Sequence, residues 1–229
     1  MRAPLAMTLS SAILTLALGC AALVVPGPAQ AQSPHTHQHS FGGAERWAEV
    51  FDDPGRDAWQ KPHQVIEALA LKPDAAVADI GAGTGYFAVR LAHFVPQGRV
   101  YAVDIEADMV KYLADRARRE GLDNLTAVTG APDDARLPRK IDLVLMVDTY
   151  HHVEQREAYF RQLARSLKPD GRVAIIDFNA KSAMGPPPSQ RIAGKRVVAE
   201  MAKAGYRLQR EHRFLPNQYF LVFQGRGKN

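Results

Sequence analysis

The sequence contains almost no cysteine. Its single cysteine among 229 residues, Cys20, lies inside an apolar stretch near the N-terminus. If that stretch is removed by processing, the mature chain has no thiol. Disulfide scaffolds, zinc sites built on thiolates and cysteine nucleophiles are then excluded as explanations of its function.

Long runs of like charge are also missing. The net charge is +5, but Lys and Arg are scattered among Asp and Glu. This distribution does not indicate a nucleic-acid surface, and we expect no nucleic-acid partner. Apolar residues make up 46% and charged residues 23% of the chain, as in ordinary globular proteins. The length fits one domain that can bury a core without disulfides or metals.

The first 31 residues are typical of a secretory signal peptide. Arg2 supplies their only charge, and an apolar stretch follows at residues 9–25. Ala29-Gln30-Ala31 offers a cleavage site of small residues, so we expect the mature chain to begin at Gln32. The pattern predicts export, with the periplasm as destination. The alternative is an uncleaved segment that anchors the protein in a membrane, since 17 residues are at the lower limit of a span.

A polar leader and one folded domain are predicted after the signal peptide. The leader covers residues 32–43, where His35, His37 and His39 alternate. This alternation leaves open a metal-binding tail or a plain flexible linker, and no carboxylate or cysteine accompanies it. The domain covers residues 44–229. It divides into a helical lid at 44–73, with two helices at 44–51 and 57–70, and an α/β core at 75–229.

Strand and helix patterns alternate through the core. Apolar, strand-like runs fall at 75–80, 100–103, 125–128, 141–147 and 173–176. Helical patterns lie between them at 86–94, 107–120 and 155–167, and a further helix at 189–204 precedes strands near 206–213 and 219–224. Short, almost wholly apolar strands alternating with helices predict a doubly wound, mostly parallel sheet of seven strands.

The most informative segment is Val77-Ala78-Asp79-Ile80-Gly81-Ala82-Gly83-Thr84-Gly85-Tyr86. A buried strand ends near an acid, turns on three glycines and begins a helix. In open parallel sheets, such a turn lies where ligands bind. The spacing G-x-G-x-G differs from the dinucleotide pattern G-x-G-x-x-G, and no phosphate-binding Lys-Ser/Thr pair follows. Asp79 would also repel phosphates and attract a cation, which argues against NAD and ATP.

With this turn, residues 75–167 resemble the class I S-adenosylmethionine-dependent methyltransferases, a family with a Rossmann-like fold. The resemblance implies that the glycine turn holds the methionine part of the cofactor and that Asp104, in Val103-Asp104-Ile105, binds both ribose hydroxyls. It implies cofactor contacts from Asp79, Gly81, Ala82, Gly83, Gly85, Asp104, Ile105, Met109, Asp133, Asp134 and Asp148. The family often has an acid near position 133 that meets the adenine amino group. Because this loop is two residues longer, the role stays open between Asp133 and Asp134.

The stretch from Ile141 to Val153 resembles small-molecule methyltransferases of the ubiquinone and menaquinone biosynthesis type. It contains His151 and His152 just after the fourth strand, where a substrate would approach. Either histidine could accept a proton from a nucleophile or could only brace the turn. Asp148, Asp177 and Asn179 invite comparison with metal-assisted enzymes. Phe178 separates the usual adjacent Asp-Asn pair, so we expect no metal.

The sequence therefore predicts an exported enzyme that transfers a methyl group from S-adenosylmethionine to a small-molecule acceptor by in-line displacement. We expect it to act as a monomer or homodimer, with membrane contact only through an uncleaved signal segment. Because S-adenosylmethionine is made in the cytoplasm, an exported, non-catalytic ligand-binding protein that retains the fold is the alternative. A nicotinamide-dependent oxidoreductase fits the glycine spacing less well.

Overall fold

The computed structural model describes residues 43–225. The predicted signal peptide at 1–31 and leader residues 32–42 lie outside these residues, as do residues 226–229. In the part of the chain that is described, no helix is both long and apolar enough to cross a membrane.

Seven strands form one sheet in the order β3-β2-β1-β4-β5-β7-β6. Strands β1 to β5 are parallel to one another, and β7 is antiparallel to both of its neighbours. This confirms the prediction of a doubly wound, mostly parallel, seven-stranded sheet. The strands are β1 Ala76–Ile80, β2 Arg99–Asp104, β3 Leu125–Thr129, β4 Ile141–Val147, β5 Leu167–Phe178, β6 Tyr206–His212 and β7 Gln218–Gly225.

Three helices, not two, precede the first strand. The prediction of a single second helix at 57–70 was wrong, since that stretch is divided between α2 and α3 at Lys61, whose φ is +47°. Pro62 explains the break, because proline disfavours a helical conformation in the residue before it and lacks the N–H that an interior helix position needs. The helices are α1 Ala44–Phe51, α2 Arg56–Gln60, α3 Pro62–Ala68, α4 Tyr86–Phe94, α5 Ala107–Arg119, α6 Arg156–Leu163 and α7 Gly194–Lys203.

Two later elements have bounds other than those predicted. The helix predicted at 189–204 begins only at Gly194, because a short 3₁₀ turn, Pro188–Gln190, precedes it. The strand predicted at 173–176 extends back to Leu167, and its register against β4 shifts between Ile141 and Leu143. The extra residues of β5 are absorbed by this irregularity, which the apolar pattern alone does not reveal.

The core lies on both faces of the sheet. Along β1, Val77 packs into the apolar cluster beneath α3 and α4, whereas Ala76 and Ala78 pack into the cluster beneath α6 and α7. Burial on both faces fixes the strand register, since a shift by one residue would exchange the two faces. The carboxyl ends of β1 and β4 are thereby held side by side. At β1 the chain order reverses direction across the sheet, which is the position where open α/β sheets bind ligands.

Candidate functional site

The glycine turn follows β1 directly. Gly81, Gly83 and Gly85 all have positive φ, at +73°, +56° and +99°. A Cβ added to Gly81 would lie 2.2 Å from Thr149 Oγ1, so this position has no room for a side chain. The backbone N–H groups of Gly81 and Ala82 donate to the carbonyl oxygen of Val103, at 2.8 and 3.0 Å. The backbone of the turn therefore approaches Thr149 closely, which glycine permits, and two hydrogen bonds join the turn to β2.

Asp104 ends β2 and holds the same turn from the other side. Its Oδ2 accepts a hydrogen bond from the backbone N–H of Gly83 at 2.9 Å, and its Oδ1 accepts one from Glu106 at 3.0 Å. Burial raises the pKa of Asp104, and the backbone N–H groups of Glu106, Gly83 and Ile105 oppose that rise. Each carboxylate oxygen retains a lone pair for a further donor, as binding to a ribose diol would require.

Asp79 is a buried acid just before the glycine turn. Its exposed fraction is 3%, and burial raises its pKa to about 7, with the charge of Arg56 opposing the rise and that of Asp104 adding to it. Arg56 belongs to α2, so the N-terminal helical segment brings a cation to the acids at the strand ends. A buried carboxylate here favours a positively charged partner.

Arg56, Gln60, Gln218 and Asp148 form a closed chain of contacts that we call the polar ring. Arg56 Nε donates to Gln60 Oε1 at 2.7 Å, and Gln60 Nε2 donates to Gln218 Oε1 at 2.9 Å. Gln218 Nε2 donates to Asp148 Oδ1 at 2.6 Å, and Arg56 Nη2 lies 3.8 Å from Asp148 Oδ2. The ring joins α2 to the ends of β4 and β7.

Asp148, predicted to contact the cofactor, is thus a member of the polar ring. Its φ is +53°, a conformation that residues other than glycine seldom adopt. Burial and the nearby charge of Asp177 raise its pKa to about 7, and Arg56 and Gln218 oppose the rise. A strained backbone together with a partly buried acid whose pKa is raised is typical of a functional site.

The four remaining predicted cofactor residues differ widely in their exposure to solvent. Ile105 is 46% exposed, whereas Met109, on α5, is 1% exposed and belongs to the core. Asp134 Oδ1 accepts a hydrogen bond from the backbone N–H of Arg136 at 2.8 Å, while Asp133 is exposed at the tip of the turn. Asp134 therefore shapes the loop, and the adenine role stays a prediction for either acid.

His151 lies in the 3₁₀ turn Tyr150–His152 and contacts Asp177 at the end of β5. Its Nδ1 is 3.0 and 2.9 Å from the two carboxylate oxygens of Asp177, and its backbone N–H donates to Asp177 Oδ2 at 3.2 Å. Both side chains are almost fully buried, with exposed fractions of 6% and 3%. The ring of His152 lies 4.1 Å from that of His151. The structure thus gives His151 an acid partner through Nδ1 and leaves Nε2 for another group.

Sequence reasoning missed several polar residues of this region. Arg56, Gln60 and Gln218 have no motif around them, and their contacts join segments that are far apart in the chain. Asp177 was noted only as a possible metal ligand. Within residues 43–225, no group of three or more His, Cys, Asp or Glu side chains is placed to hold a metal ion. Thr84, inside the glycine turn, has a buried hydroxyl without a hydrogen-bond partner, a polar atom that a ligand could satisfy.

Comparison with known proteins identifies the family. A family profile described as "Methyltransferase domain" matches residues 77–171. The ubiquinone/menaquinone biosynthesis C-methyltransferase UbiE of Ectopseudomonas mendocina is 31% identical over 180 residues, which cover 67% of this chain and 68% of that protein. The chain belongs to the class I S-adenosylmethionine-dependent methyltransferases. Its cofactor is S-adenosylmethionine, and the positive turn φ angles, the doubly tied Asp104 and the buried Asp79 fit that cofactor.

Two further relatives place this methyltransferase within the family. The UbiE protein of Shewanella frigidimarina is 28% identical over 125 residues, covering 53% of this chain and 49% of that protein. The chain thus spans about half the length of that relative. The crystal structure of an S-adenosylmethionine-dependent methyltransferase from Aquifex aeolicus superposes with a TM-score of 0.74 and 26% identity, covering 80% of this chain and 98% of that one. The fold and the cofactor are therefore established.

Replacing Asp104 with alanine is expected to weaken binding of S-adenosylmethionine by about 1–3 kcal/mol, because the ribose hydroxyls lose an acceptor and the glycine turn loses a tie. Calorimetric titration measures this effect. Asp123→Ala removes an exposed acid from the turn before β3, at the opposite edge of the sheet from Asp104, and serves as the control. Equal affinity in Asp104→Ala and Asp123→Ala would show that the ribose assignment is wrong.

Proposed function

We propose that this methyltransferase transfers the methyl group of S-adenosylmethionine, by in-line displacement, to an oxygen or nitrogen of a small-molecule acceptor, with His151 as general base. The observation that carries the proposal is the buried contact between His151 Nδ1 and Asp177. His151 follows β4, the strand that pairs with β1, and Asp177 lies near the end of β5. A histidine oriented by a carboxylate through one nitrogen is prepared to accept a proton at the other.

Asp177 has a defined role in this mechanism. By accepting the Nδ1–H of His151, it selects the tautomer whose Nε2 carries a lone pair. It also stabilises the positive charge that His151 acquires when it takes the proton from the acceptor's nucleophilic group. The backbone contacts from His151 and Phe178 to Asp177, at 3.2 and 2.7 Å, hold the carboxylate in place.

The cofactor end of the site would be held by residues already described. Asp79 would face the amino group, the turn from Gly81 to Gly85 would contact the methionine part, and Asp104 would accept from the ribose hydroxyls. Bound S-adenosylmethionine supplies a methyl group already activated by a positively charged sulfur. The protein's main contribution is then alignment, which can provide about 7–11 kcal/mol. This requirement explains why several residues are proposed to bind the cofactor, whereas only His151 and Asp177 are proposed to act in proton transfer.

A small acceptor is supported by the compact domain and by relatives. The described residues form one sheet with its helices and carry no added recognition domain. The relatives from Ectopseudomonas mendocina and Shewanella frigidimarina are named for ubiquinone and menaquinone biosynthesis.

The competing proposal, a non-catalytic binding protein, would keep the cofactor site without turnover. Formation of S-adenosylhomocysteine in the presence of candidate acceptors separates the two.

The first test is a calorimetric titration of purified residues 32–229 with S-adenosylmethionine, S-adenosylhomocysteine and NAD. We expect micromolar binding of the first two and none of NAD. A folded protein that binds neither would refute the enzymatic proposal and favour a binding protein for another ligand. Binding of NAD alone would point to the oxidoreductase alternative.

We also propose that the N-terminal segment directs export to the periplasm and is removed before Gln32. The support is the sequence pattern of residues 1–31 and the small residues Ala29 and Ala31. Expression of the full chain in a bacterium should give a periplasmic protein whose N-terminus, by mass spectrometry, is Gln32. Recovery of the uncleaved chain in the membrane fraction would support the anchored alternative instead.

A further inference from the structure

Tyr219 has a buried hydroxyl that the protein leaves unsatisfied. Tyr219 lies on β7 directly opposite Asp177 on β5, and residues paired in this way project from the same face of the sheet. Its ring packs beside Gly194, where a Cβ would lie 3.5 Å from the ring carbons. Part of the residue is exposed, yet its hydroxyl oxygen is buried and has no hydrogen-bond partner in the described structure.

Two buried tyrosines of the apolar cluster against which Tyr219 packs show the contrast. Tyr150 donates its hydroxyl to Glu200 at 2.7 Å, and Tyr206 donates to the carbonyl oxygen of Phe160 at 2.9 Å. Native proteins pair nearly all buried polar groups, because an unpaired donor loses its bond to water without replacement. The exception at Tyr219 therefore points to a partner that arrives with a ligand.

The charged groups around this hydroxyl include residues of the proposed active site. Burial raises the pKa of Tyr219, the charges of Asp177, Tyr150 and Asp148 raise it further, and Arg156 opposes them. The group therefore remains an O–H donor across the working pH range. Asp177, its nearest strand partner, already accepts hydrogen bonds from His151 and from the backbone N–H of Phe178. Tyr219 is thus a hydrogen-bond donor at the strand position opposite Asp177, and its hydroxyl is not bonded to the His151–Asp177 pair.

We propose that Tyr219 donates a hydrogen bond to a second oxygen of the methyl acceptor, next to the hydroxyl whose proton His151 accepts. This inference rests on the function proposed above and narrows its acceptor class. The acceptor would carry a nucleophilic hydroxyl and, within a few bonds of it, an oxygen that accepts a hydrogen bond. A molecule with the hydroxyl alone would leave Tyr219 unpaired, and sites built to pair a polar group discriminate strongly against analogues that lack it.

The test compares two probes, catechol with two neighbouring oxygens and phenol with one. Each is titrated into the protein saturated with S-adenosylhomocysteine and followed by NMR, and methyl transfer from S-adenosylmethionine is measured in parallel. Wild type should prefer catechol by at least about tenfold in both assays, since a site that pairs a polar group rejects the analogue lacking it. Tyr219→Phe should reduce this preference to near unity while its melting temperature stays equal or rises, because the removed hydroxyl had no protein partner.

Tyr206→Phe is the matched control. It also removes one buried hydroxyl from a neighbouring strand, but that hydroxyl has a protein partner. It should lower the melting temperature and keep the catechol preference. A preference that survives in Tyr219→Phe, or a wild type that binds S-adenosylmethionine yet shows no preference between the probes, would overturn the inference. Failure of wild type to bind S-adenosylmethionine would instead refute the proposed function itself, and the initial cofactor titration detects this separately.

Discussion

Replacing His151 with alanine is expected to lower the rate of methyl transfer about 10²- to 10⁴-fold, the range typical of a lost general base. The affinity for S-adenosylmethionine should change little, because His151 contacts Asp177 and none of the residues of the glycine turn. The loss should therefore appear in kcat and not in cofactor binding. Release of S-adenosylhomocysteine at saturating cofactor measures the first quantity, and calorimetry measures the second.

Two further variants test the reason for that loss. Asp177→Asn keeps the size of the side chain but removes the charge that stabilises protonated His151, so kcat should fall by a smaller factor. His152→Ala removes the neighbouring ring, 4.1 Å away, and should reduce kcat less than His151→Ala does. If His152→Ala proved the more damaging change, the base would be His152. If neither histidine mattered, the acceptor would lose its proton without help from the protein.

The parts of the site that could be predicted are those whose residues lie close together in the sequence and form a recognisable motif. Asp79 and Asp104 lie on two successive strands, and the glycine turn follows the first of them. Each of its three glycines has a positive φ, which residues with a side chain seldom adopt. Their residue types therefore reveal the turn without knowledge of the fold. The same holds for β1, β2, β4 and the central part of β5, since parallel strands buried on both faces are almost wholly apolar.

The polar ring could not be predicted, because its members carry no local signal. Gln60 and Gln218 are 158 positions apart, and a glutamine on a short helix or an edge-side strand usually faces water. Only the antiparallel placement of β7 between β5 and β6 brings Gln218 to the end of β4. The helix break at Lys61 is a different case. Pro62 did signal it, but the apolar spacing of residues 65–70 favoured a single helix.

The N-terminal helices and the acids at the strand ends are energetically connected through Arg56. Asp79 is buried and Asp148 partly buried, and the loss of solvent raises the pKa of each to about 7. For these acids the folded state binds protons more tightly than the unfolded chain does, so their ionisation costs stability as the pH rises from about 4 to about 7. The charge of Arg56 opposes the rise at both acids and so offsets part of that cost.

Arg56→Met is therefore expected to reduce the free energy of unfolding by about 1–3 kcal/mol at pH 8, because Gln60 loses its hydrogen-bond donor and the ionised acids lose a nearby cation. At pH 5 the loss should be smaller, because Asp79 and Asp148 are then largely protonated in the folded state and need no cation. Urea unfolding of wild type and variant at the two pH values measures the difference.

Arg90→Met is the control that the fold itself provides. The guanidinium carbons of Arg56 and Arg90 lie 4.0 and 4.1 Å from the centre of the same Tyr86 ring. Arg90 pairs with Asp57, whose side chain is 51% exposed, so its loss should cost less than about 1 kcal/mol, and equally at both pH values. An Arg56→Met effect that matched this control, or that did not grow with pH, would mean that packing of Arg56 on Tyr86, and not its charge, holds α2 in place. A larger effect that grows with pH would instead show that the helices before the sheet are held in place by the same acids that are proposed to contact the cofactor.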